Sequence, residues 1–84
     1  MNQPTDNHAY IQIFPNPNNG ILNIKSEKEI IQIKIYSTNG QLVKIVNQKN
    51  KSFSILIDDI PAGLYFVKAD LSNGSIWTGK LIKE

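Results

Sequence analysis

Cysteine is absent from the 84 residues, so neither a disulfide framework nor a thiolate metal site can stabilise the fold. Histidine occurs once, as His8, which excludes a serine–histidine–aspartate arrangement or a histidine-rich metal site inside a domain that starts after it. Arginine is also absent, and the nine lysines are spread from Lys25 to Lys83. Nucleic-acid recognition relies on arginine and on a concentrated basic face, so the composition argues against a nucleic-acid partner.

Long apolar runs are missing too, and none approaches the roughly 20 residues that a membrane-spanning helix requires. We therefore expect no direct membrane span. Residues 1–9 are polar and lack the hydrophobic stretch of a signal peptide, so we expect a flexible linker or leader in front of one domain at 10–84. Export of such a protein has to be started by another part of a longer chain.

Helical periodicity is absent, because apolar residues alternate with polar ones or form short β-branched runs that turn residues interrupt. This pattern predicts seven short strands, at residues 10–14, 21–25, 30–36, 42–46, 53–57, 64–71 and 76–82. Seven short antiparallel strands separated by turns are typical of two packed sheets. The sequence therefore predicts an all-β fold, a seven-stranded antiparallel immunoglobulin-like β-sandwich.

Alternation is clearest in the third predicted strand, where Ile31, Ile33 and Ile35 share one face. We expect this isoleucine face to lie in the core. The residues that follow contain Asn39 and Gly40, which both accept positive φ, so the pattern predicts a hairpin turn there.

A tyrosine corner is predicted at residues 60–65, which read IPAGLY. In immunoglobulin-like sandwiches, a tyrosine near the start of the sixth strand donates its hydroxyl to a backbone carbonyl a few residues upstream. Tyr65 occupies this place, and Pro61 and Gly63 provide the bend. The alternative is an ordinary core tyrosine at the start of a strand.

Residues suited to catalysis do not form a set in this sequence. Asp58 and Asp59 are adjacent, so an extended chain sends their side chains to opposite faces, and a turn before Pro61 explains them better. Residues 70–74 lack the alternating carboxylates and the distant glutamate of a calcium loop. We therefore expect no enzymatic activity, no metal site and no cofactor.

Aromatic side chains offer an alternative function. Tyr36, Phe66 and Trp77 are candidates for the outer face of the sandwich, where they could line a groove for a sugar or a peptide. For Trp77 a buried position is favoured, because tryptophan is highly buried on average. The alternative function is a carbohydrate- or protein-binding accessory β-sandwich module of a secreted protein.

Four motifs follow one another along the chain: IFPNP at 13–17, IYSTNGQLV at 35–43, IPAGLYFV at 60–67 and GKLIK at 79–83. Together they resemble the successive motifs of the C-terminal sorting domains of the type IX secretion system, also called the Por secretion system. The resemblance covers Tyr10 to the last residue. The chain departs from the family pattern at Ser37, where Asp or Asn is common, and at the acidic Glu84, where a basic ending is usual.

The resemblance implies a domain at the C-terminus of proteins secreted by Bacteroidetes, with the cargo N-terminal to it in the same chain. It implies that the domain directs the cargo across the outer membrane after a separate signal has brought it into the periplasm. The protein then lies on the cell surface or is secreted. The implied partners are type IX translocon or shuttle proteins and a sortase-like peptidase, which usually removes the domain while it attaches the cargo to a surface lipopolysaccharide.

Eight residues, seven of them in these motifs and Gly20 in the turn after the first motif, are candidates for signal recognition: Pro15, Asn16, Pro17, Gly20, Gly40, Gly63, Tyr65 and Lys80. The prolines and glycines are expected to fix turns that set strand register and present a rigid surface. For the glycines this structural role is favoured over direct contact with a receptor. Lys80 is the better candidate for contact, and its alternative role is to guard a strand edge.

Overall fold

The computed structural model describes residues 11–84, which form five β-strands paired in antiparallel fashion. They are β1 (Ile11–Phe14), β2 (Ile21–Ser37), β3 (Leu42–Leu56), β4 (Gly63–Leu71) and β5 (Ile76–Lys83). The predicted all-β class is confirmed. No helix in this part of the chain is long and apolar enough to cross a membrane. The predicted leader at 1–9 and the predicted first strand residue, Tyr10, lie outside the described residues.

The strand count is five rather than the predicted seven, because two pairs of predicted strands are continuous. The second and third predicted strands are the two halves of β2, and the fourth and fifth are the two halves of β3. The polar segments between the halves resemble loops in the sequence, yet they stay extended and meet at a shift in register between Lys25 and Ile30. A bulge bends a strand without ending it. The described residues therefore form one bulged sheet in place of the two predicted separate sheets.

One core lies inside this curled sheet. In the first half, β2 is flanked by β1 and β3; in the second half it is flanked by β3 and β4, and β5 extends the sheet beyond β4. Inward side chains of both halves belong to the same buried cluster, which includes Leu22, Ile24 and Ile57 from the first half and Ile33, Ile35, Val67 and Leu81 from the second. The bend between the halves thus lets a single sheet enclose a core from two sides.

The isoleucine face of β2 differs from the prediction at one residue. Ile33 and Ile35 are buried as expected, but Ile31 is exposed and Ile30 is fully buried in its place. The pairing with β4 explains this difference. Ile30 lies opposite Leu71 and Gln32 lies opposite the adjacent Asp70, so Ile31 has no partner of its own in β4. Ile31 is the extra residue of a bulge, and an extra residue reverses the alternation on one side of it.

Trp77 lies on the inner face of β5 with 9% of its surface exposed, so the favoured buried position is confirmed. Its indole ring lies across Gly79, two residues further along the same face, and an added Cβ at that glycine would overlap the ring. Packing of the tryptophan therefore requires glycine at position 79.

Candidate functional site

The loop between β1 and β2 lies along the outer edge of β5, and its contacts centre on Asn16. The Asn16 side-chain amide donates through Nδ2 to the carbonyl of Lys80 at 2.8 Å. Its Oδ1 accepts the backbone N–H of Ile82 at 2.9 Å. One side chain thereby satisfies a carbonyl and an N–H on the edge of β5, as a neighbouring strand would.

The backbone of Asn18 continues this pairing. Its N–H donates to the carbonyl of Ile82 at 2.7 Å, and its carbonyl accepts the N–H of Glu84 at 2.6 Å. Asn18 and Lys83 form an isolated parallel bridge. We call Asn16 and Asn18, with their bonds to residues 80, 82 and 84, the asparagine clamp. The clamp covers the edge that β5 would otherwise leave unpaired near its C-terminal end.

The side chain of Asn18 holds the loop in shape from inside. It is 1% exposed, and its Nδ2 donates to the carbonyls of Pro15 at 3.1 Å and Ile21 at 2.6 Å. Its Oδ1 accepts the N–H of Gly20 at 2.7 Å. All hydrogen-bonding groups of this buried amide are used, which is the condition for placing a polar side chain in a core.

The predicted loop residues divide into those that make the clamp and those that flank it. Asn16 makes direct bonds to β5, whereas Pro15 and Pro17 are exposed and each follows a cis peptide bond. Gly20 is buried, and a Cβ there would make an ordinary contact with Asp58.

Strand register places the other predicted residues at the same end of the sheet. Gly63, the first residue of β4, lies opposite Lys83 at the end of β5. Tyr65 lies opposite Ser37, where the turn that contains Gly40 begins. Gly40 has a φ of +87°, a left-handed conformation that favours glycine, so the predicted turn is confirmed. Motifs that are far apart in the sequence therefore meet at one end of the molecule.

The tyrosine corner forms as predicted. Tyr65 is buried, and its hydroxyl donates to the carbonyl of Pro61 at 2.6 Å. This bond ties the start of β4 to the segment that crosses from β3, because Pro61 precedes β4 by two residues. The corner thus fixes the strand that carries Gly63 beside the clamp.

Asn18 is the residue of this site that the sequence interpretation missed. Its signal was the local pattern Asn18-Asn19-Gly20, since asparagine side chains commonly accept the backbone N–H two residues on. Ten asparagines in the chain made that signal weak by itself. The residues of β5 that the clamp binds could not be predicted from the sequence, because they lie more than 60 positions away from Asn16.

Lys80 presents two different groups to its surroundings. Its carbonyl is bound by Asn16, while its side chain is exposed on the outer face of β5, opposite Phe66 of β4. The structure therefore brings Lys80 to the clamp through its backbone and leaves its ammonium group accessible to a partner.

A surface ion pair joins Lys44 of β3 to Asp59. The Lys44 ammonium group, at 3.0 Å from the carboxylate of Asp59, holds the pKa of Asp59 below its ordinary value. Among the described residues, no group of three or more histidine, cysteine, aspartate or glutamate side chains is placed to hold a metal ion. The clamp therefore offers a partner a defined shape, and Lys80 adds an accessible ammonium group.

A protein-family model matches almost all of the described residues. The family model described as the secretion system C-terminal sorting domain matches residues 12–84. A search of curated proteins finds no match. The family match includes all four motifs and every residue of the clamp.

Proposed function

The chain belongs to the family of secretion system C-terminal sorting domains, and we propose that it works as the type IX signal that directs a larger cargo protein across the outer membrane. The cargo would precede it in the same chain and would reach the cell surface or the medium after transit through the periplasm. Translocon or shuttle proteins would bind the domain, and a sortase-like peptidase would remove it during surface attachment. In this proposal the domain acts as the address, and the cleavage is carried out by the peptidase.

The observation that carries this proposal is the asparagine clamp. The motif at 13–17 and the motif at 79–83 are separate in the sequence, yet Asn16 binds Lys80 and Ile82 directly. A partner that recognises both motifs therefore meets one continuous surface in the folded domain. Such a surface supports recognition of a folded shape over recognition of a linear peptide.

The immunoglobulin-like relationship is part of the same proposal. The Tyr65 corner supports it, because that corner is a hallmark of immunoglobulin-like sandwiches. The two halves of the long strands, whose inward side chains share one core, would correspond to the two layers.

A fusion experiment tests the export function. Residues 11–84 are joined to a periplasmic reporter with its own N-terminal signal and expressed in a type IX-competent bacterium. We expect the reporter at the cell surface or in the medium, and in the periplasm of a matched strain that lacks the translocon. Retention of the folded fusion in the periplasm of the competent strain would show that the domain is not a sufficient signal.

A binding module is the second candidate, and one arrangement favours it: Tyr36 and Phe66 are cross-strand neighbours on the outer face. Trp77, the third candidate aromatic residue, is buried and takes no part. Binding on a glycan array that is lost in Tyr36→Ala, with export of the fusion unchanged, would favour this function.

A further inference from the structure

The outer face of the second half of the sheet carries a row of apolar and aromatic side chains. Strand register aligns Leu42, Tyr36, Phe66 and Lys80 in one row across β3, β2, β4 and β5. On one side of this row Leu64 lies opposite Ile82, and on the other side Ile45 lies opposite Lys34. We call the outward side chains of these three rows the lysine–aromatic face.

This face brings exposed apolar side chains together with two aromatic rings. Leu42, Ile45, Leu64 and Ile82 are 41–48% exposed, and both aromatic rings are half-buried among them. Contiguous exposed apolar groups on a small soluble domain mark interaction sites. The inner face of the same strands already supplies the core, so these outward residues are not needed to enclose it.

Charge on the face has one sign. Lys34, Lys68 and Lys80 stand in the same rows as the apolar side chains. The carboxylate of Asp70, in the adjacent row, lies 3.7 Å from the Lys34 ammonium group and offsets that charge. Lys68 and Lys80 give the face a positive charge next to its aromatic centre, where apolar contact and charge attraction combine.

The outer face of the first half has a different character. Asn23 and Ser54 face each other there, and the Ser54 hydroxyl donates to Asn23 Oδ1 at 2.7 Å. Ile21 and Leu56 form an exposed apolar pair at one end of it. The exposed Phe14 of β1 lies on this face too, opposite Asn23. Ile21 and Leu56 lie outside the lysine–aromatic face and serve as controls for its apolar residues.

We propose that the lysine–aromatic face docks on an acidic, partly apolar surface of a folded protein, which is the export receptor if the proposed function holds. A second copy of this chain is disfavoured as the occupant, because it would place lysines against lysines. A bilayer is also disfavoured, because Lys34, Lys68 and Lys80 share this face with its apolar side chains, and insertion would carry their ammonium groups toward the acyl chains. A protein surface can place a carboxylate opposite each ammonium group.

Charge reversal in the reporter fusion tests this inference. We expect the double change Lys68→Glu and Lys80→Glu to lower the ratio of surface to periplasmic reporter by about tenfold, the scale of an interface hot spot. The matched double change Lys25→Glu and Lys51→Glu, at exposed lysines outside the face, should leave the ratio unchanged. Thermal unfolding of each purified domain confirms that the fold is intact.

Substitution of apolar and aromatic residues in the same fusion tests the inference independently of charge. Tyr36→Ala combined with Ile45→Thr should also lower export, whereas Ile21→Thr combined with Leu56→Thr should not. If the unmodified fusion stays in the periplasm, the proposed function fails. If it is exported and both face variants are exported equally well, the docking inference is overturned while the proposed function stands.

Two further measurements separate the other occupants. Flotation of the purified domain with vesicles of equal phosphatidylglycerol and phosphatidylcholine, lost on Lys68→Glu and Lys80→Glu, would assign the face to a membrane and overturn the proposal. A dimer in sedimentation velocity that Tyr36→Ala disrupts would assign the lysine–aromatic face to a second copy of this chain and would also overturn the proposal. If the domain neither floats with vesicles nor forms a dimer, and the face variants lower export, the results support a protein receptor.

Discussion

Replacement of Asn18 by alanine tests the most interconnected side chain of the clamp. The change removes three hydrogen bonds, of 2.6, 2.7 and 3.1 Å, from a residue that is 1% exposed. At about 1 kcal/mol net for each bond, the expected loss of unfolding free energy is about 3 kcal/mol. The total for a domain of this size is roughly 4–13 kcal/mol, so the loss is a large fraction of it.

Thermal unfolding followed by circular dichroism measures this loss. One kcal/mol corresponds to roughly 4–8 °C in Tm for a domain of this length, so Asn18→Ala should lower the Tm by about 12–24 °C. Asn19→Ala, at the exposed neighbour, is the control and should change the Tm little. Urea unfolding gives the same comparison at constant temperature.

Asn18→Asp separates hydrogen bonding from side-chain size. The carboxylate keeps the acceptor for Gly20 but turns both donated bonds into repulsion with the carbonyls of Pro15 and Ile21. This variant should lose at least as much stability as Asn18→Ala at neutral pH. A fall in Tm of less than about 4 °C for the alanine variant would show that the loop does not depend on this amide and would refute the reasoning.

Three other predictions concern the bulge, the corner and the surface ion pair. Ile30→Thr should lower the free energy of unfolding by about 2–4 kcal/mol and Ile31→Thr by less than about 0.5 kcal/mol, because only Ile30 is buried. Equal losses for the two variants in urea unfolding would contradict the bulge. Tyr65→Phe should cost about 1 kcal/mol through loss of its hydroxyl bond, seen as a Tm lower by about 4–8 °C, and an unchanged Tm would show that the corner bond adds no stability. The pKa of Asp59 is lower in the folded state than its unfolded value of 3.8. Pairing with Lys44 therefore stabilises the fold at pH values above 3.8, and this stabilisation is lost as the pH falls through the lower pKa of the folded state. Asp59→Asn should therefore weaken the dependence of the urea midpoint on pH below about 4, and identical pH profiles would exclude this contribution.

Local chemistry made part of this structure predictable. The hairpin turn at Gly40 and the corner at Tyr65 depend on residues within a few positions of each other, and both formed as the sequence indicated. Burial of Trp77 agrees with the expectation from the high average burial of tryptophan.

Features that depend on distant partners were not predictable. The extra residue at Ile31 is invisible in an alternating run, because its place is decided by the register against β4. The polar middle segments of β2 and β3 lack apolar residues and therefore resemble loops in the sequence, although both remain part of continuous strands. Asn16 was a candidate from its motif, but its partners on β5 could be found only in three dimensions. The contact role of the Lys80 side chain stays a prediction.

The asparagine clamp also limits when this domain becomes recognisable. Asn16 and Lys80 are 64 positions apart, so the loop after β1 gains its partners only when β5 is present and paired. Closure over that distance is a late, non-local step that costs chain entropy. A polypeptide that stops short of β5 would lack the bonds from Asn16 and from the Asn18 backbone to β5, and with them the joint surface of the first and last motifs. A receptor that binds this surface would therefore accept finished, folded proteins and leave prematurely ended ones behind.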